Sequence, residues 1–266
     1  MSEPTTHEPT AVPAPIAHAE PRENTIHAEP VPAHADPVAS PAHAEPVAET
    51  MAPAEPELEP APIPPEPQPF KPTTLDAPGL DLLFHKAHTT WTWRDEPVTD
   101  DTIRTLYDTL KLGPTSANAS PARFMFLRTQ SARDRLRWTL SDGNIEKTLR
   151  APVVAIVAHE PKFYDELPRL FPGTDARSWF AHNEELAAIT AFRNGTLQGA
   201  YLIMAARALG LSCGPMSGFD TSRVDTEFLI ATGWKSNFLI AMGYADDTPP
   251  PIRAPRLAFD EACRLL

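Results

Sequence analysis

The chain has 266 residues, 32 prolines and a formal net charge of −12. With no lysine or arginine cluster it is a poor partner for nucleic-acid phosphates, and its apolar runs, such as Val153 to Ala158, are far too short to span a bilayer. Two cysteines, Cys213 and Cys263, cannot build a disulfide framework, so a reducing cytoplasm is the expected setting.

Prolines and charge are unevenly spread. Residues 1–72 hold 19 of the prolines, no glycine, one aromatic residue, and twelve acids against two bases, a balance of −10; the other 194 residues stand at −2. The first stretch repeats a short phrase, HAEP at His18, His27 and His43 and HADP at His34. Proline removes backbone donors and favours extended geometry, and without large apolar side chains nothing offsets the entropy of ordering. Residues 1–72 are therefore expected to be a disordered, partly polyproline-like tail with no assignable partner. Its histidines read as a solvated linker or, less naturally at this spacing, as weak metal ligands. With no basic start and no apolar segment, it does not read as a signal peptide.

Residues 73–266 are expected to form one domain. Leu80, Leu83, Phe84 and Ala87 have helical spacing. Thr99, followed by Ile103, Leu106, Tyr107 and Leu110, predicts a capped helix ending at Gly113-Pro114. Strands are predicted at 124–127, 153–158 and 238–242. Between the last two lies a long helix from Glu184 to Leu209, with Leu186, Ile189, Leu197, Ala200, Tyr201, Met204 and Ala208 in one stripe, stopped by Gly210. Arg193, Asn194, Gln198 and Arg207 exclude a simple membrane span. Helices alternating with short strands imply a layered α+β or α/β domain.

The sequence has no dinucleotide-binding glycine fingerprint, no phosphate-binding Walker loop and no metal-ligand spacing. Ser217 lacks the full nucleophile elbow because Pro215 stands where glycine is needed. Cys213 reads as a reactive thiol or, more simply, as a small apolar filler.

Three polar segments remain: residues 113–121 (GPTSANASP), 141–147 (SDGNIEK) and 210–220 (GLSCGPMSGFD), all read as loops. Together they resemble the FMN-dependent nitroreductase superfamily, and within it the RutE-type branch associated with malonic semialdehyde reduction. Segments 167–172, 176–180, 191–194, 235–237 and 253–257 recur in that branch in the same order, so the resemblance covers residues 75–266.

The resemblance implies an α+β fold with a central, mostly antiparallel sheet flanked by helices, assembled as a homodimer with active sites at its interface. It implies an enzyme that binds FMN, takes hydride from NADH or NADPH in a ping-pong cycle, and passes it to a small acceptor, most naturally malonic semialdehyde to yield 3-hydroxypropionate. A generic nitroaromatic or quinone reductase, or a flavin-binding scaffold with little turnover, are the alternatives.

By the same resemblance Pro114, Thr115, Ser116 and Asn118 lie beside the flavin ring. Asn144 and Lys147 contact its pyrimidine edge, where a cation favours the reduced form. Pro215, Ser217 and Gly218 lie near the ring's reactive nitrogen, and Lys147 and Asn118 are the candidate catalytic residues. Arg253 and Arg256 would hold phosphate. One departure stands out: where relatives carry Arg-x-Ser-x-Arg or a close variant of it, this chain has His88-Thr-Thr-Trp91, with His88 for the first arginine, Thr89 keeping the hydroxyl, and Trp91 for the second base. Arg177 and Arg193 are candidates for a substrate carboxylate, or for ion pairs with Glu184 or Asp175. Each of these residues also has an ordinary reading as a turn, cap or surface charge.

Overall fold

The computed structural model describes residues 73–266, so the expectations for the tail concern residues outside those described. Asp76 caps the first helix, α1 (Ala77–Leu80), by accepting from Gly79 N at 2.9 Å, and the helix runs on as a π-helical turn, Asp81–His85. Thr99 caps α2 (Asp100–Leu110) in the predicted way, its hydroxyl accepting from Thr102 N at 3.1 Å.

There follow β1 (Ala122–Leu127), α3 (Gln130–Leu136), α4 (Asp142–Leu149), β2 (Val153–His159), the short α5 (Leu167–Leu170) and α6 (Ser178–Ala181), and the long α7 (Glu184–Ala208). After it come β3 (Ser212–Met216), α8 (Thr221–Val224), β4 (Lys235–Gly243) and α9 (Phe259–Ala262).

The four strands form one sheet in the order β1-β2-β4-β3, every pairing antiparallel. The unbroken apolar run of β2 reflects a strand buried on both faces. Val153, Ala155 and Val157 join Leu106, Leu110, Leu202 and Ile240 under α2 and α7. Val154, Ile156 and Ala158 join Leu136, Leu140, Val224 and Leu239 on the opposite face, with α3, α4 and α8. The result is the expected sheet between helical layers.

Three local readings are corrected. Residues 141–147 are mostly helix: α4 contains Asn144 and Lys147, and its start is tied to the turn after β3 by Ser141 N donating to Gly218 O at 3.0 Å. That tertiary anchor outweighs the weak helix preference of Asp, Gly and Asn. The segment after α7 is not all loop, since residues 212–216 are β3. Pro215 is tolerated there because β3 is the last strand of the sheet and need not donate on its outer side.

The apolar stripe of α7 is also not its buried face. Leu186, Ile189, Phe192 and Leu197 are exposed, while Ala187, Ala191, Gly195, Gly199 and the polar Asn194 and Gln198 are buried. Small residues let the helix lie close on the sheet: a Cβ at Gly199 would meet Phe238 Cζ at 2.4 Å. Among the described residues no helix is long and apolar enough to cross a membrane.

Candidate functional site

The predicted site residues fall into three groups. The first surrounds the start of α4. Asn144 Nδ2 donates to Gly218 O at 2.9 Å, and a Cβ at Gly218 would lie 2.4 Å from that same nitrogen. One turn on, Lys147 places its ammonium 4.3 Å from the centroid of the Trp91 ring, a cation–π contact of roughly 0.5–2 kcal/mol depending on solvation. Trp91 in turn packs on Gly214 of β3, where a Cβ would meet its ring at 2.5 Å. Pro215 is in β3 and Ser217 is exposed just beyond it. Asn144, Lys147, Trp91, Gly214 and Gly218 are thus assembled from three well-separated stretches of chain.

The second group adjoins the first along β3. Thr89 bridges Cys213, and Thr90 N donates to Cys213 O at 3.1 Å, so residues 88–91 run beside the strand. His88 Nδ1 donates to Lys86 O at 3.0 Å. Arg253 reaches back to the same place, its Nη2 donating to His85 O at 2.9 Å and Ala87 O at 2.6 Å. Arg207 Nη1 donates to Leu83 O at 2.8 Å. Lys86, His88, Arg207 and Ser212 face a cleft of about 470 Å³. Arg256 is turned onto its own backbone, donating to Ala254 O at 2.9 Å, and is not brought to His88.

The third group lies elsewhere. The loop before β1 carries three residues in the left-handed region, Ala117, Asn118 and Ser120, with φ of 49°, 49° and 40°. It is held there by α7: Ser116 N donates to Asn194 Oδ1 at 2.9 Å, and Ala122 N to Gln198 Oε1 at 2.8 Å. Thr115 Oγ1 accepts from Ser120 N at 3.0 Å, and Asn118 Nδ2 donates to Leu170 O at 2.8 Å. This loop precedes β1, at one edge of the sheet, on the α7 face; Asn144 and Lys147 lie on the other face, near β3 at the other edge. Three inter-strand spacings separate those edges, about 14 Å.

Arg177 also sits with the third group. Its Nε donates to Asp165 Oδ1 at 2.9 Å, an ion pair neither with Glu184 nor with Asp175. Arg193 is exposed on α7 beside Phe192. Burial pushes the Cys213 thiol up to about 12, which favours its reading as core filler.

Sequence reasoning missed Asn194, Gln198 and Arg207 as site-supporting groups. The signal was available: two amides four residues apart inside an apolar helix share a face, and when buried they need partners.

The donor set suits an FMN-like group. One end of β3 offers cations and the buried hydroxyl of Thr90, which has no hydrogen-bond partner among the described residues. The other offers an amide, an ammonium and two glycines where a Cβ would not fit.

Known proteins share this class of fold. The chain belongs to the nitroreductase family, whose family model matches residues 86–244. Among solved structures it is similar to a protein described as a nitroreductase in complex with FMN from Exiguobacterium sibiricum, with 16% identity, a TM-score of 0.64, and coverage of 74% of this chain and 100% of that one. It is also similar to a nitroreductase family protein from Streptococcus pneumoniae, with 22% identity, a TM-score of 0.59, and coverage of 68% and 96%. A third is described as an NAD(P)H:FMN oxidoreductase from Staphylococcus epidermidis, with 14% identity, a TM-score of 0.61, and coverage of 74% and 100%.

Proposed function

We propose that the protein is an FMN-dependent NAD(P)H oxidoreductase that reduces a small acceptor, with malonic semialdehyde, converted to 3-hydroxypropionate, as the natural one. The observation that carries the reading is the convergence of Asn144, Lys147 and Gly218 beside β3, next to the cation-lined cleft at His88. Bound FMN would supply a ring that accepts hydride from NADH or NADPH and yields it to the acceptor in alternate visits.

The rest is the work of the chain's own groups. Lys147 sets a positive charge where negative charge would develop. Asn144, with Nδ2 engaged by Gly218 O, keeps its carbonyl oxygen free to accept from a ring N–H. His88, Thr89 and Arg253 serve the phosphate, and Arg207 lines the cleft with His88. Arg193, which forms no ion pair among the described residues, suits a substrate carboxylate better than Arg177, already engaged with Asp165.

A homodimer completes this reading. The Thr115–Asn118 loop cannot meet Lys147 within one subunit, so a second copy would supply it. Two apolar surfaces favour that assembly: Ile189 and Phe192 on the outer side of α7, and the C-terminal segment, where Ile252 is 99% and Leu257 71% exposed.

Steady-state reduction of malonic semialdehyde, a quinone and a nitroaromatic, each with NADH and NADPH, tests the proposal. A kcat/KM for malonic semialdehyde well above the others supports it. Equal rates across the three would leave a generic reductase.

A further inference from the structure

We infer that Trp91 is the positioning residue that holds Lys147 at the flavin's pyrimidine edge and thereby sets the reduction potential of bound FMN. This rests on the FMN reading above. Lys147 is half-buried and, among the described residues, forms no ion pair; the group facing its ammonium is the Trp91 ring, 4.3 Å away. A carboxylate there would fix the ammonium and also neutralise it. An aromatic face attracts a cation through its quadrupole and leaves the net charge intact.

The indole is itself fixed. Its segment is laced to β3 by the Thr89–Cys213 bridge and by Thr90 N donating to Cys213 O at 3.1 Å. Gly214 provides the seat, since a Cβ there would come within 2.5 Å of Trp91 Cζ3 and 2.6 Å of the Thr90 carbonyl oxygen. Sheet edge, indole and ammonium form one chain of contacts. Reduction adds negative charge to the pyrimidine edge, so an ammonium held there favours the reduced form, whereas one free to swing into solvent is screened. The residue that stands in place of a second base thus gives the remaining cation a fixed position.

Trp91→Phe keeps an aromatic face and Trp91→Leu removes it; Trp91→Met, which fills space without a ring, serves if the leucine variant does not fold. Two readouts are used. In flavin-free protein with isotope-labelled lysine, the ε-methylene protons of Lys147 should carry an upfield ring-current shift in wild type and in Trp91→Phe, and lose it in Trp91→Leu. In FMN-loaded protein, dye equilibration should show Trp91→Phe within about twofold of the wild-type reduction equilibrium. Trp91→Leu should be shifted roughly tenfold toward oxidised flavin, about 30 mV for a two-electron couple. A leucine variant with the wild-type potential overturns the inference while the FMN reading stands. A wild-type chain that takes up no FMN overturns that reading, and the inference with it.

Discussion

Gly218 and Asn144 meet so closely that one added methyl group must move the amide. A Cβ at 218 would lie 2.4 Å from Asn144 Nδ2, and what yields is the tip of a side chain rather than backbone. Gly218→Ala should therefore melt near the wild-type temperature yet bind FMN about tenfold more weakly, the equivalent of one disrupted hydrogen bond; thermal melts and fluorescence titration check the two halves. His159 carries the clearest pH dependence. Burial lowers its pKa below the ordinary value of 6.5; nearby Asp225 and Glu160 oppose that shift, and Lys235 adds to it. Its Nδ1 is buried without a partner among the described residues. The unfolded chain thus binds a proton that the folded one resists, so stability is full above about pH 6.5 and falls as pH drops toward the folded pKa. His159→Asn should flatten that acid limb in urea melts at stepped pH, and an unchanged slope would assign it to other groups. At this scale Asn144 and Lys147 were legible through the resemblance alone; that they share a helix face emerges only with α4. The contact of Trp91 with Lys147 was not legible, because only the path of residues 88–91 along β3 brings it about.

Helix α7 organises both its neighbours and the loop before β1. Its buried side is built from small residues and two amides, so it approaches the sheet closely and still satisfies the backbone N–H groups of Ser116 and Ala122. Gly199→Ala should drive a methyl into Phe238, whose Cζ would stand 2.4 Å from the added carbon, and into Val157 at 3.1 Å. The expected loss is about 1–3 kcal/mol in urea unfolding, and a neutral effect would mean that the helix can shift outward. The length and limits of α7 were legible from its periodicity and Gly210; its capping Asn183 emerged only in the structure. The orientation of α7 was not legible, because hydrophobic periodicity marks an apolar face without saying whether a sheet or another molecule covers it. Likewise α4 and β3 were not legible, because Gly, Asn and Pro, ordinarily loop formers, are held in regular structure by contacts with each other's elements.

For the whole molecule, the resemblance and the arrangement of groups point the same way. The order of polar segments along the chain was legible and named the family. Sequence could not show that a single chain keeps the Thr115–Asn118 loop and the Asn144–Lys147 group at opposite edges of a sheet, a consequence of strand order. If two copies share each site, Phe192→Asp on the exposed side of α7 should shift the protein from dimer to monomer in sedimentation and abolish flavin-dependent turnover. A monomeric variant with wild-type turnover would remove the partner from the site. The most direct measurement is the visible spectrum of the protein incubated with FMN and freed of excess. The account predicts a yellow protein that bleaches on NADH or NADPH and regains colour with an acceptor, with Lys147→Ala bleaching markedly more slowly. A protein that stays colourless, or whose flavin reduces at the same rate without Lys147, would contradict it.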